Sequence, residues 1–258
     1  MIKALINGNW KKISKEQLQF GTGSYAFKTG LYETFRTLNH NTVFLDEHVN
    51  RLLRSAWCTG LIIHYSKHEI LEMVDTVISN FPESNQRVRI LADPDNLILY
   101  TSSLDIDDSI YDGVSAITVF ASRSTPHVKT TDYEVCLSAW EKAKKSNCFE
   151  AILVDNDGYV YEGSKSNVFW VTDGKLLTRQ DQVLPGVTRQ TIISKSSIPA
   201  AFGQLNKNDF DQIDELFITN SGSGIVPVNK VNKNKIGSGV VGKLTRKLLS
   251  DYNMWIKL

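Results

Sequence analysis

Charge of one sign is almost missing from this chain. Twenty-nine Lys and Arg stand against 28 Asp and Glu, which leaves +1 over 258 residues. Such a balance carries no electrostatic footprint for nucleic acid or an anionic membrane. Long apolar runs are missing too: no segment approaches the roughly 18 apolar residues of a membrane helix. The stretch from Met1 to Trp10 turns polar without a signal-type apolar run. Cysteine is scarce, and Cys58, Cys136 and Cys148 have no metal-type spacing. Their odd number suits reduced, buried thiols in a soluble cytoplasmic protein. His64 and His68 are four apart, but Tyr65-Ser66-Lys67 between them reads as a loop entering a helix. A solvated helix start is expected there, and no metal site. The rest, 41% hydrophobic and 22% charged, suits one large globular domain or two modest ones.

Periodicity organises the chain as mixed α/β. Leu31–Arg36 and Thr42–Leu45 read as paired strands around Asn39-His40-Asn41, and Asp46 is placed to cap a helix over residues 47–59. That helix carries Val49, Leu52, Leu53 and Ala56 on one face. A second helix is expected over residues 67–80, then a hairpin of Arg87–Leu91 and Leu97–Thr101 across Asp93–Asn96. Leu104 to Asp112, with its four aspartates, reads as a linker. Beyond it come a strand (114–121), a helix (132–146), a cluster of short strands (151–177), a helix after Pro185-Gly186, strands at 215–219 and 225–228, and a final helix from about Val241. The expected division is a small domain over 1–105, a linker over 106–112 and a larger domain over 113–258. Two lobes with a seam between them suit a cofactor site.

The most informative segment is Glu162-Gly163-Ser164-Lys165-Ser166-Asn167-Val168-Phe169. Residues 150–161 before it read as two strands joined by an Asn156-Asp157-Gly158 turn, which delivers Glu162 to a strand end. A carboxylate followed by glycine and small hydroxyl residues makes a polar pocket for a nitrogen heterocycle. Without its flanking motifs an ordinary strand-end glutamate would be preferred.

With Lys129 upstream and Leu184-Pro185-Gly186-Val187-Thr188-Arg189 downstream, the arrangement resembles the class IV (fold-type IV) aminotransferases, which use pyridoxal 5'-phosphate (PLP). Branched-chain and D-amino-acid aminotransferases and 4-amino-4-deoxychorismate lyases belong to that family. The resemblance runs from Gly30-Leu31-Tyr32-Glu33-Thr34-Phe35-Arg36 to the C-terminal helix. It implies an α/β (α+β) fold of two lobes, the larger with a barrel-like sheet, and a homodimer with active sites near the interface. It implies transfer of an amino group between an amino acid, or a primary amine, and a 2-keto acid through a Schiff base on Lys129. Lys142, Lys144 and Lys145 are the competing lysines, but they lie in a charged amphipathic helix and read as a solvated face.

By the same resemblance Glu162 faces the pyridine nitrogen and keeps it protonated. Val187 and Thr188 open a helix whose free N–H groups and positive dipole end suit a phosphate. Ser221, in Thr219–Gly224, is a second phosphate contact, and Arg51, in His48-Val49-Asn50-Arg51-Leu52-Leu53, is the phosphate clamp. Tyr32 and Arg89 match substrate-facing positions, and Lys28 lies in a loop that in this family often reaches the partner's active site. A solvated loop lysine is an equal alternative for Lys28. Thr34 and the Lys129-Thr130-Thr131-Asp132-Tyr133 context lean towards the lyase side, because branched-chain enzymes usually carry glycine at the former and a Gly-Asn-Tyr sequence after the lysine. The lyase, which releases pyruvate and p-aminobenzoate, is therefore the second expectation. A binding protein that keeps the fold without chemistry is a remote third.

Overall fold

A computed structural model describes residues 1–257. The chain forms two compact units, residues 1–105 with 128–134, and residues 106–127 with 135–258. The stretch read as a linker, residues 106–112, belongs to the second unit, and residues 108–112 form a 3-10 turn. Residues 128–134, which carry Lys129, pack with the first unit, whereas a linear division assigned them to the second.

The first unit contains β1 (Ile2–Ile6), β2 (Asn9–Ile13), β3 (Leu31–Leu38), β4 (Asn41–Thr42), α1 (Leu45–Thr59), α2 (Lys67–Ser79), β5 (Gln86–Ala92) and β6 (Leu97–Ser103). Its strands form one antiparallel sheet in the order β2-β1-β6-β5-β3-β4. Alternation along β3 sends Leu31 and Phe35 to one face, where Val49 and Leu52 of α1 and Ile70 and Val74 of α2 bury them. Tyr32 goes to the other face with Leu91, Ile98 and Tyr100, beneath the segment that holds Leu18 and Phe20. Gly30 opens β3 because a Cβ there would lie 2.1 Å from the Ala92 carbonyl oxygen.

Two expectations at α1 need correction. The second strand of the hairpin is only Asn41–Thr42, since Phe44 turns left-handed (φ 55°) and Leu45 already starts the helix. Phe44 is therefore the N-cap, and Asp46 sits within the first turn, paired with Lys67 at 2.5 Å. At the other end Gly60 (φ 71°) closes α1 in the left-handed conformation, with its N–H bonded back into the last turn. The 67–80 expectation meets α2 closely: Ser66 and Glu69 exchange side-chain and backbone bonds in a capping box. Cys58 is exposed rather than buried, because position 58 falls on the outer face of α1.

The second unit contains β7 (Val114–Phe120), most of α3 (Glu134–Lys145), β8 (Glu150–Val154), β9 (Val160–Gly163), β10 (Asn167–Thr172), β11 (Lys175–Thr178), α4 (Val187–Lys195), β12 (Ala200–Phe202), β13 (Glu215–Asn220), β14 (Gly224–Val231), β15 (Asn234–Lys235) and α5 (Lys243–Trp255). Strands β10-β13-β14-β7-β8-β9 run in sequence around a sheet that closes where β9 meets β10, Glu162 opposite Asn167. This is the barrel-like sheet, filled by Ile152, Val160, Val168, Trp170, Ile218 and Val226. Strands β7 and β8 run parallel, so the chain between them must cross over, and α3 lies in that crossover. No helix among the described residues is long and apolar enough to cross a membrane.

Candidate active site

On β3, Glu33 points to the helix-covered side between Leu31 and Phe35 and is fully buried. A carboxylate there needs partners, and α1 supplies two on one face, His48 and Arg51. Arg51 Nε donates to Glu33 Oε1 at 2.7 Å and Nη2 to Oε2 at 2.6 Å, while His48 Nδ1 donates to Oε2 at 2.7 Å. Burial pushes the Glu33 carboxyl up, but Arg51 and His48 outweigh it and hold the group down at about 2. Burial lowers His48, and the nearby charges of Arg51 and Lys129 add to that, against the pull of Glu33. The result is a fixed, charged guanidinium. Sequence reasoning nominated Arg51 and missed Glu33, although a lone acid at an inward position of an apolar strand was the available signal.

The opposite face carries the expected substrate residues. Tyr32 and Thr34 alternate on β3, Arg89 stands opposite Thr34 on β5, and Tyr100 stands opposite Arg89 on β6. Arg89 Nη1 donates to the Tyr100 hydroxyl at 3.3 Å. Burial pulls the Arg89 pKa down, but the surrounding tyrosines, Tyr100 first, leave it raised, so its charge is secure.

The 128–134 segment is stitched to the start of β3. Tyr32 N–H donates to the Lys129 carbonyl (2.9 Å), Thr131 N–H to the Gly30 carbonyl (2.8 Å), and Gly30 N–H to Thr131 Oγ1 (2.9 Å). These bonds set Lys129 Nζ 4.3 Å from the centroid of the Tyr32 ring. Lys129, Tyr32, Thr34 and Arg89 thus share one unit. Lys28 is different: it is exposed and paired with exposed Asp95 at 2.6 Å.

In the second unit Glu162 is buried and engaged on both oxygens. Arg123 Nη1 donates to Oε1 at 2.9 Å, and Leu184 N–H (2.9 Å) and Asn167 Nδ2 (3.4 Å) donate to Oε2. A cavity of about 280 Å3 flanks the Arg123–Glu162 pair, with Ser122, Tyr161 and Gln182 on its walls. Neither Arg123 nor the coupling role of Asn167 was anticipated; Arg123 sits in a Ser-Arg-Ser loop with no pattern to single it out. The two serines of the motif turn to a second carboxylate. Ser164 Oγ and Ser166 Oγ donate to buried Glu150, at 2.5 and 2.8 Å, and Lys165 lies with Nζ 3.1 Å from the Trp140 ring centroid. A buried carboxyl group must have its oxygens satisfied and recruits the nearest hydroxyls, which is why the turn folds back on it.

From Glu162 the barrel register runs to Asn167 on β10 and then to Thr219 on β13. Asn167 Nδ2 also donates to the Leu184 carbonyl at 2.9 Å, and a Cβ on Gly186 would lie 2.1 Å from Asn167 Oδ1. The opening of α4 is therefore locked to the Glu162 strand end. Helix α4 packs on β13, and Thr188 Oγ1 and Thr219 Oγ1 are both buried with no hydrogen-bond partner. Gly186 caps α4 without a side chain, which leaves its first N–H groups unpaired by any cap. Orphaned hydroxyls on the first turn of α4 and on the strand it packs against, with a bare helix start, are chemistry that suits an anion. Ser221 lies half-buried just past β13, in a turn where Asn220 Oδ1 accepts the N–H groups of Gly222 and Ser223. Among the described residues no group of His, Cys, Asp and Glu is arranged to hold a metal ion.

Residues 30–231 match the family described as amino-transferase class IV. The D-alanine aminotransferase of Staphylococcus aureus (strain N315) is 28% identical over 100% of this chain and 99% of its own. The branched-chain amino acid aminotransferase of Escherichia coli has a TM-score of 0.85 at 21% identity, covering 99% of this chain and 94% of that one. The T.th. branched-chain amino acid aminotransferase, solved with pyridoxamine 5'-phosphate, has a TM-score of 0.84 at 22% identity, covering 99% of this chain and 94% of that one. At those identities the two structures speak for the fold.

Proposed function

The chain belongs to the class IV aminotransferase family and is a PLP-dependent aminotransferase, and from that premise we propose how its own residues divide the work. Lys129 holds the cofactor through Nζ. The same amine would take the proton from the substrate α-carbon as general base and pass it to the cofactor side as general acid. The cofactor, when bound, supplies the electron sink for the carbanion at the substrate α-carbon. Glu162 keeps the pyridine nitrogen protonated, and Arg123, Asn167 and the Leu184 N–H fix that carboxylate in place. The N–H groups of Val187 and Thr188, with Ser221 and the Thr188 and Thr219 hydroxyls, bind the phosphate. Arg51, oriented by Glu33, is a cation suited to a phosphate. Tyr32, Thr34 and Arg89 face the substrate, with Arg89 as the carboxylate partner.

One observation carries this most directly: the buried, unpartnered hydroxyls of Thr188 and Thr219 beside the bare N-terminus of α4. A buried hydroxyl without a partner costs about 1–3 kcal/mol, and a phosphate group removes that cost. The residues present fit the cofactor. D-alanine is the first amino donor to test, since that substrate names the S. aureus relative. We further infer a cytoplasmic homodimer. Three free thiols, one of them exposed, suit a reducing compartment, and Lys28 lies exposed, where a second copy could meet it.

The purified protein is expected to carry the visible absorbance of lysine-bound PLP, and Lys129→Ala is expected to lose it together with all activity. A protein that takes up no cofactor would overturn the enzyme reading. D-alanine, L-leucine and (R)-phenylethylamine, each with a keto acid, and separately aminodeoxychorismate, then test the reaction. Amino transfer is expected; release of p-aminobenzoate without transfer would make the protein a lyase instead.

A further inference from the structure

Phe20 belongs to no strand and to none of the motifs above, yet it lies against the expected substrate face. It follows the 3-10 turn at Glu16–Leu18 in the connection between β2 and β3. Local bonds brace that connection: Ala26 N–H donates to the Gln17 carbonyl at 3.0 Å and Thr22 Oγ1 to the Gln19 carbonyl at 2.7 Å. The Phe20 ring is 6% exposed. Its centroid is 4.5 Å from that of Tyr32 and 5.4 Å, edge-on, from that of Tyr133. The Arg89 guanidinium lies 5.2 Å from the same ring. Phe20 therefore touches two of the residues assigned to the substrate, and Tyr32 is the ring over which Lys129 Nζ sits.

Phe20 shares a core cluster with Leu18, Leu91 and Ile98, but it also has a cation and hydroxyl-tipped rings around it, Arg89 with Tyr25, Tyr32 and Tyr133. That surrounding is chemistry for a carboxylate and an amine, partly filled by a benzyl group from the chain itself. We propose that Phe20 is a specificity-determining residue. It occupies the space a large substrate side chain would need beside Tyr32 and restricts the enzyme to amino acids of about alanine size. The proposal rests on the aminotransferase function and on the assignment of Tyr32 and Arg89 to the substrate. Discrimination of this kind is steric: closely packed side chains leave no volume for additional methylenes, and each rejected methylene is worth roughly 10- to 200-fold in kcat/KM.

The test uses PLP-loaded wild type, Phe20→Ala and Phe20→Leu. The kcat/KM values for alanine and phenylalanine are compared, with both enantiomers of each. Binding of two unreactive carboxylates, propanoate and 3-phenylpropanoate, is measured by calorimetry as a readout independent of turnover. Phe20→Ala is expected to raise the phenylalanine-to-alanine ratio by about tenfold or more, and to shift the carboxylate pair in the same direction. Phe20→Leu is expected to fall between, and it carries the comparison if the alanine variant does not fold. Ratios in both measurements that stay within about twofold of wild type, set against the roughly tenfold expected, would overturn the proposal and leave Phe20 a packing residue. Wild type that transfers no amino group from any donor would overturn the aminotransferase function instead, and the carboxylate pair alone would then decide on Phe20.

Discussion

Replacing Glu33 by Gln takes the anion away from Arg51 and His48 while keeping the side chain's shape. In the native protein the carboxylate is fully buried and receives donors from both residues. Its pKa falls from 4.5 to about 2, a difference that corresponds to about 3 kcal/mol of folding stability at 1.36 kcal/mol per unit. Removing one partner of a buried ion pair costs about 3–5 kcal/mol by a separate route, the stranded charge left behind. The loss expected at neutral pH is about 3 kcal/mol, the value at which the two routes overlap, or a fall in Tm of roughly 6–12 °C. The sign with pH is fixed by the direction of the shift. A depressed carboxyl pKa contributes in full above the unfolded value of 4.5 and loses that contribution as pH falls towards about 2. Urea unfolding followed by circular dichroism, at neutral pH and at steps down through that window, compares wild type with Glu33→Gln. The gap between them should be widest at neutral pH and narrow steadily in acid. A gap below about 1 kcal/mol, the value of an ordinary surface pair, or one that does not change with pH, would refute the argument that Glu33 is a buried anion held by Arg51.

Thr188→Val and Thr219→Val remove hydroxyls that have no partner in the protein. Each is expected to leave the apo protein as stable as wild type or slightly more so, and to weaken PLP binding by about tenfold or more, the value of a hydrogen bond to a charged group. Thermal melts with and without PLP separate the two effects. Gly186→Ala drives a methyl group to within 2.1 Å of Asn167 Oδ1; displaced Asn167 releases Leu184 and Glu162 together. Fluorescence titration should show PLP affinity falling more than it does for either threonine variant. Lys28→Ala breaks only an exposed, solvent-screened pair with Asp95. Stability and KM should barely change, and a KM rise without a stability change would instead give Lys28 a role at a partner's active site.

Local signals carried much of the architecture. Apolar spacing located α2 and the β5–β6 hairpin, Tyr65-Ser66-Lys67 read as a loop entering a helix, and the Pro185-Gly186 pair marked the opening of α4. These features depend on neighbours a few residues away, so periodicity and capping chemistry reveal them. The start of α1 was less legible. Nothing in the residue type announces that Phe44 adopts a left-handed conformation, and Asp46 looked like the better cap. Motif order along the chain was enough to nominate Lys129, Glu162 and Thr188, because each chemical role calls for one residue type.

What the sequence by itself determined is therefore the family and a set of candidates: a lysine for PLP, a strand-end glutamate, a helix opening suited to a phosphate and an arginine on an amphipathic helix. Tertiary structure alone decided which groups hold those residues. Glu33 meets Arg51 only because α1 packs on the inward face of β3. Arg123 meets Glu162 across 39 residues of chain, and the serines beside Glu162 turn to Glu150. Phe20 reaches Tyr32 and Arg89 from a connection with no periodic pattern. A buried charge must find its counter-charge wherever the fold brings one, and a gap between rings is filled by whatever side chain lies above it. Those choices depend on packing between segments distant in sequence, and no local pattern encodes them.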